Sequence, residues 1–150
     1  MRQGMAAWHT TGAEVDRPYF LALQAEAYGK GDQIEEALRV LLEALALVHR
    51  FGDRYWEAEL HRLKGETLLS QAMPDKGQAE TCFHQALDIA RSQQAKSLEL
   101  RAAMSLSHLW QQQGKRAEAY QLLAETYGWF TEGFDTTDLQ EARALLAELT

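Results

Sequence analysis

No stretch of this 150-residue chain alternates apolar and polar positions with β-branched residues, so no β-strand is expected. Proline is scarce, at two residues, which leaves room for long uninterrupted helices. The single cysteine, Cys82, cannot form an internal disulfide, which suits a reducing cytoplasm. Beside Phe83 it reads as a small packed residue rather than a reactive thiol. No apolar run approaches the roughly 20 residues that a membrane helix needs. The first residues, MRQGMAAWHTTGAEV, lack the apolar core of a secretory signal. A cytoplasmic protein with no membrane partner is expected. Positive charge is in deficit: 15 Lys and Arg face 22 Asp and Glu, for a net charge of −7. That argues against a nucleic-acid backbone as the main partner.

Catalytic signatures are missing too. Gly29-Lys30 and Gly114-Lys115 lack the upstream glycine and the following Ser or Thr of a phosphate loop. Glu57 and His61 stand one helical turn apart, but the H-E-x-x-H arrangement of a zinc site is absent. His61 is read as pairing with Glu57 or packing. His9, His49 and His84 read as solvent-facing. Adjacent carboxylates such as Glu35 and Glu36 suit a solvated helix face. No nucleophile–base set can be assembled from spacing alone. The expectation is no enzyme, no metal and no cofactor.

Alanine, leucine, glutamate and glutamine dominate what is there, and all favour helix. The organising stretch is Trp56–Ala90, which reads as two amphipathic helices with a turn between them. Ala79, Phe83, Ala86, Leu87 and Ala90 share one face at 3.6 residues per turn. Trp56, Leu60, Leu63 and Leu68 form the facing stripe. Gly65 interrupts a good helix at a cost of about 1 kcal/mol, which predicts close approach of a neighbour. Met73-Pro74-Asp75-Lys76-Gly77 is a breaker, and Asp75 with Gln78 has capping-box spacing.

Similar pairs flank this hairpin. A short helix is expected over residues 3–11, then a helix capped by Asp16 and running to Gly29. Asp32 and Glu35 open the next helix, which buries Ile34, Ala37, Leu38, Leu41, Ala44, Leu45 and Val48. Ala95-Lys96-Ser97 is read as a turn, followed by helices over 98–113 and 117–127 with Gly114-Lys115 between them. A last helix, boxed by Thr137 and Gln140, is expected to turn Leu139, Ala142, Leu146 and Leu149 inward. Trp129, Phe130 and Phe134 precede it and are expected to dock it.

An internal repeat links these pairs. In the first helix of each pair stand Ala25, Gly65 and Ser107; from 25 to 65 is 40 residues and from 65 to 107 is 42. Three residues on come Tyr28, Leu68 and Trp110. In the second helices stand Ala37, Ala79 and Ala119, and four residues on come Leu41, Phe83 and Leu123. Seven on are Ala44, Ala86 and Thr126. Small residues at crossings and large ones in the gaps are what stacked helix pairs require. This pattern resembles the tetratricopeptide repeat over Pro18–Tyr127, although the units are longer than its usual 34 residues. The segments RPYFLALQAEAYGKGDQIEEAL, WEAELHRLKGETLL, AKSLELRAAMSLSHLW and YGWFTEGFDTTDLQEARALL resemble the C-terminal repeat tails of bacterial signalling proteins that carry a nucleotide-cyclase or DNA-binding module and an NTPase.

The resemblance implies an all-α right-handed solenoid. It would comprise a trailing helix in residues 1–15, units over 16–52, 53–94 and 95–128, and a capping helix over 137–149. It implies a non-catalytic scaffold that binds a protein or peptide, or alternatively a small-molecule sensor controlling a linked NTPase or cyclase. It implies a concave face lined by Tyr19 and Glu26, by Glu59, Arg62 and Glu66, and by Arg101, Met104, His108, Gln111 and Gln112. Arg62 and Glu66 are equally readable as an i,i+4 surface pair. The chain starts inside a unit, so a fragment is expected, with self-association through the exposed half-unit.

Overall fold

The structure, a computed structural model, describes residues 17–30, 33–51 and 54–150. The expected leading helix, its self-associating end, the Asp16 cap and the Asp32 box lie outside those residues. The side chains of residues 17–20, 29, 30 and 51 also lie outside them.

Seven helices and no strand occur among the described residues: α1 Arg17–Lys30, α2 Ile34–Phe51, α3 Glu57–Leu69, α4 Lys76–Ser92, α5 Lys96–Gln112, α6 Arg116–Tyr127 and α7 Thr137–Leu149. None is long and apolar enough to cross a membrane. Their starts have local causes. Asp75 accepts from the Gln78 N–H at 3.0 Å, as its spacing predicts. Gly114, at φ +80°, makes the turn before α6. Two boundaries differ from expectation. The turn before α5 is made by Gln93, Gln94 (φ +55°) and Ala95, so Lys96 and Ser97 are already helical. The cap of α7 is Thr136, not Thr137; its hydroxyl accepts from the Leu139 N–H at 3.4 Å.

Each helix packs on the next, so α1–α2, α3–α4 and α5–α6 are antiparallel hairpins. The odd-numbered helices also contact one another in sequence: α1 with α3, α3 with α5, α5 with α7. An odd helix therefore touches neighbours on several sides. That is why α5 buries residues all round, from Leu98 to Leu109, whereas α6 buries only Ala119, Leu123 and Thr126.

The repeat positions sit at the crossings. Ala37, Ala79 and Ala119 are fully buried, as are Leu41, Phe83 and Leu123. The small partners adapt to the large ones. Phe83 is the largest, and it faces Gly65: a Cβ there would lie 2.5 Å from the Phe83 ring. In the other hairpins the same positions hold Ala25 with Leu41 and Ser107 with Leu123, all buried. Ser107 donates to the Ala119 carbonyl oxygen at 3.2 Å, so its hydroxyl is satisfied in the core. The last helix turns Leu139, Ala142, Leu145 and Leu149 inward; Leu146 is only partly buried, one register step from expectation. Arg116 ties that helix down by donating to the carbonyl oxygens of Glu148 and Leu149.

A second repeated device joins successive hairpins. Glu57, in the first turn of α3, is only 2% exposed. It accepts two 2.8 Å hydrogen bonds from Arg54, with His49 of α2 at 3.7 Å. Glu99, in the first turn of α5, accepts from Lys96 at 3.1 Å and from Arg91 of α4 at 3.2 Å. Residues 49, 54 and 57 each recur 42 positions on, as 91, 96 and 99. In both places a carboxylate near a helix N-terminus, where the dipole favours it, pairs with a basic residue from the preceding helix's last turn. Of the two readings of His61, pairing with Glu57 or packing, the structure favours packing, because Arg54 and His49 take the carboxylate. His61 instead leaves Nδ1 buried without a partner. Burial lowers its pKa, against the pull of Glu57. Cys82 is buried, and loss of solvation raises its thiol pKa, as suits a packed residue.

The aromatic loop departs from expectation at Trp129. Phe130 packs against the core. Phe134 is partly exposed but sets its ring 5.8 Å from that of Tyr127 in α6, whereas Trp129 is 64% exposed and stands away from the core. Their flanking glycines and polar residues leave the loop on the surface.

Candidate functional site

A groove of about 450 Å3 runs between α1, α3 and α5, with Ala25 and Leu63 in its lining. Its charged walls are Glu26 from α1, Arg62 and Glu66 from α3, and Arg101 from α5. A second depression of about 330 Å3 lies alongside and shares Glu66 and Ser70 with it. His108 and Gln112 of α5 line that one. Six of the ten residues expected on the concave face thus line two adjoining depressions.

The other four fall elsewhere. Tyr19 lies on α1, but its side chain is outside the described residues. Gln111 is half-buried and donates to Glu148 at 3.4 Å. Glu59 and Met104 are corrections: both are buried. Met104 belongs to the core because α5 has neighbours on nearly every side. Glu59 lies beneath the groove and holds its cations.

That carboxylate is the electrostatic centre. Arg62 donates to it through Nε and Nη2, each at 2.8 Å, a bidentate pair. Arg101 reaches it from α5, with 2.6 Å between Nη1 and Oε2. Arg62 also donates to the Ser105 hydroxyl at 3.3 Å, and Arg101 approaches Asp138 of α7 at 3.8 Å. One network therefore links α3, α5 and α7. Burial works against charge on Arg62, whose side chain is 13% exposed, but Glu59 first, then Glu66 and Glu26, hold its pKa above the ordinary value. In place of the alternative i,i+4 pair with Glu66, Arg62 pairs with Glu59, three residues away and bidentate. Ser70, Ser105 and Asp138 were not singled out from sequence. No local pattern marks them, since each is placed by contacts between helices about 40 residues apart.

No family model matches the chain, and no curated protein matches it. The chemistry must therefore be read from the groove itself. Glu26, Glu66, Arg62 and Arg101 interleave both signs of charge over an apolar floor. Among the described residues no group of three His, Cys, Asp or Glu side chains is placed to hold a metal ion.

Proposed function

We propose that this chain is a tetratricopeptide-like solenoid, a non-catalytic scaffold that holds a protein or peptide along α1, α3 and α5. The observation that carries the reading is the packing order. Odd helices adjoin one another as well as their hairpin partners, the repeat's small and large residues are buried in every hairpin, and Gly65 meets Phe83 in the second. Stacked hairpins of this kind leave one helix series along the inner surface. The groove is open rather than enclosed, and charged at its rim, which favours an extended peptide over the alternative of a buried small-molecule effector. In longer signalling proteins of the kind it resembles, such a tail would recruit the partner that a linked NTPase or cyclase answers to.

Reversing Arg62 is a poor test, because it would place a second carboxylate beside buried Glu59. Glu66 and His108 line the second depression, and neither stands beside a buried carboxylate as Arg62 does. Glu66→Lys with His108→Ala should lower capture of peptides selected from a random display library by about tenfold, with an unchanged melting temperature. Capture equal to that of the parent protein would remove the groove from consideration.

A further inference from the structure

A larger cleft, about 770 Å3, opens where the residues leading into α3 and the starts of α5 and α7 meet the turn before α5. It shares only Arg101 with the groove. Three cations line it, Arg54, Lys96 and Arg101, against one carboxylate, Asp138. In a chain of net charge −7 that is a local reversal of sign. Its cause is the repeated junction described above. The carboxylates that hold these cations, Glu57, Glu99 and Glu59, are buried beneath them and do not line the cleft. The cations are fixed in place yet not exhausted. Arg54 gives two N–H groups to Glu57, and Lys96 gives one to Glu99. A guanidinium has five donors and an ammonium three, so both keep donors for a second acceptor.

The cleft also has an aromatic side. Tyr55 is 57% exposed and stands edge-on to Trp56, with ring centres 4.8 Å apart. Lys96 lies 4.0 Å over the exposed Trp129 ring, which extends the aromatic surface past the rim. Exposed tyrosine and tryptophan beside ordered cations are the composition of a recognition surface rather than of a solvated loop. Exposed Gln94 adds amide groups that match a peptide backbone.

We propose that this cleft binds an acidic peptide segment. Its carboxylates meet Arg54, Lys96 and Arg101, and an apolar side chain lies against Tyr55 and Trp56. A nucleic acid fits less well. A polyanion running beyond the cleft meets a protein of opposite preference, whereas a short acidic segment places its charge only where the cations are. This site is distinct from the groove and does not depend on it.

The test uses two labelled hexapeptides, one alternating glutamate and leucine, the other glutamine and leucine, with fluorescence anisotropy as readout. The glutamate peptide should bind at least about tenfold more tightly, with affinity falling as salt rises. Arg54→Gln with Lys96→Gln should remove that preference. Those changes also remove both hydrogen bonds from Arg54 to Glu57 and one of the two that Glu99 accepts, so Tyr55→Ala, at an exposed ring, is the second variant; it should weaken binding about threefold or more. Glu66→Lys with His108→Ala should leave this binding intact. Equal binding of the two peptides, no binding at about 1 mM, or indifference to Tyr55→Ala would overturn the proposal. Loss of binding in the groove variant, or equal competition by an oligothymidylate of the same charge, would do so as well.

Discussion

The second and third hairpins solve one packing problem in two ways. Where α3 crosses α4, a glycine at 65 lets the Phe83 ring lie against bare backbone. Where α5 crosses α6, Ser107 occupies the same repeat position, the ring is replaced by Leu123, and a hydroxyl bonds the Ala119 carbonyl. The combined volume is shared differently, and neither partner is free to change alone. The lesson is that the repeat conserves a filled crossing rather than any particular residue. A fully buried ring contributes more area than leucine, while glycine costs about 1 kcal/mol of helix propensity, so the two solutions trade packing against backbone freedom.

The comparison breaks most sharply at Gly65. Gly65→Ala should destabilise the protein by about 1–3 kcal/mol, measured by urea unfolding, because the Phe83 ring is fully buried and has nowhere to retreat. Adding Phe83→Leu should restore much of that loss, since it rebuilds the Ala25 and Leu41 arrangement of the first hairpin. Failure of the pair to recover would mean that the hairpins are not equivalent at this crossing. A smaller effect is expected in the third hairpin. Ser107→Ala removes one hydrogen bond and leaves a residue the first hairpin already accepts, for a loss of about 0.5–1.5 kcal/mol. Ser107→Val should cost more than the alanine, because a branched side chain has no room at the crossing; equal losses would show that the site is looser than its burial implies.

The smallest effect is one of pH. His61 in the second hairpin stands where the third has Ala103, which is fully buried. Burial lowers the His61 pKa, with Glu57 opposing and Lys64, His49 and Arg54 reinforcing it. The unfolded chain therefore binds this proton more readily than the folded one, and stability rises with pH. That contribution is fully present above the ordinary histidine value of 6.5 and is lost as pH falls through the lower folded value. His61→Ala should flatten the slope of stability against pH in this acidic window. An identical slope in the variant would assign it to other groups.

Much of the fold was legible. Apolar spacing marked the helices, and alignment of Ala25, Gly65 and Ser107 with Ala37, Ala79 and Ala119 marked the crossings. The misplacement of Leu146 for Leu145 was a single step, because period 3.6 leaves adjacent positions nearly equivalent at the edge of a stripe. The groove was legible only in outline. Glu26, Arg62, Glu66 and Arg101 line it, but Glu59 and Met104 lie beneath the surface, and nothing within α3 or α5 alone signals that.

Periodicity and residue size along the chain were enough to determine a helical protein of successive packed pairs, with glycine where a ring must pass. Those properties act between residues three or four apart, or through a simple exchange of volume. Only the tertiary structure decided which charges go inside. Glu57, Glu59 and Glu99 are buried where neighbouring helices bring His49, Arg101 and Arg91 against them. A buried charge is tolerated only beside its counter-charge; a basic residue three positions away supplies part of that, and the rest comes where helices from different hairpins meet.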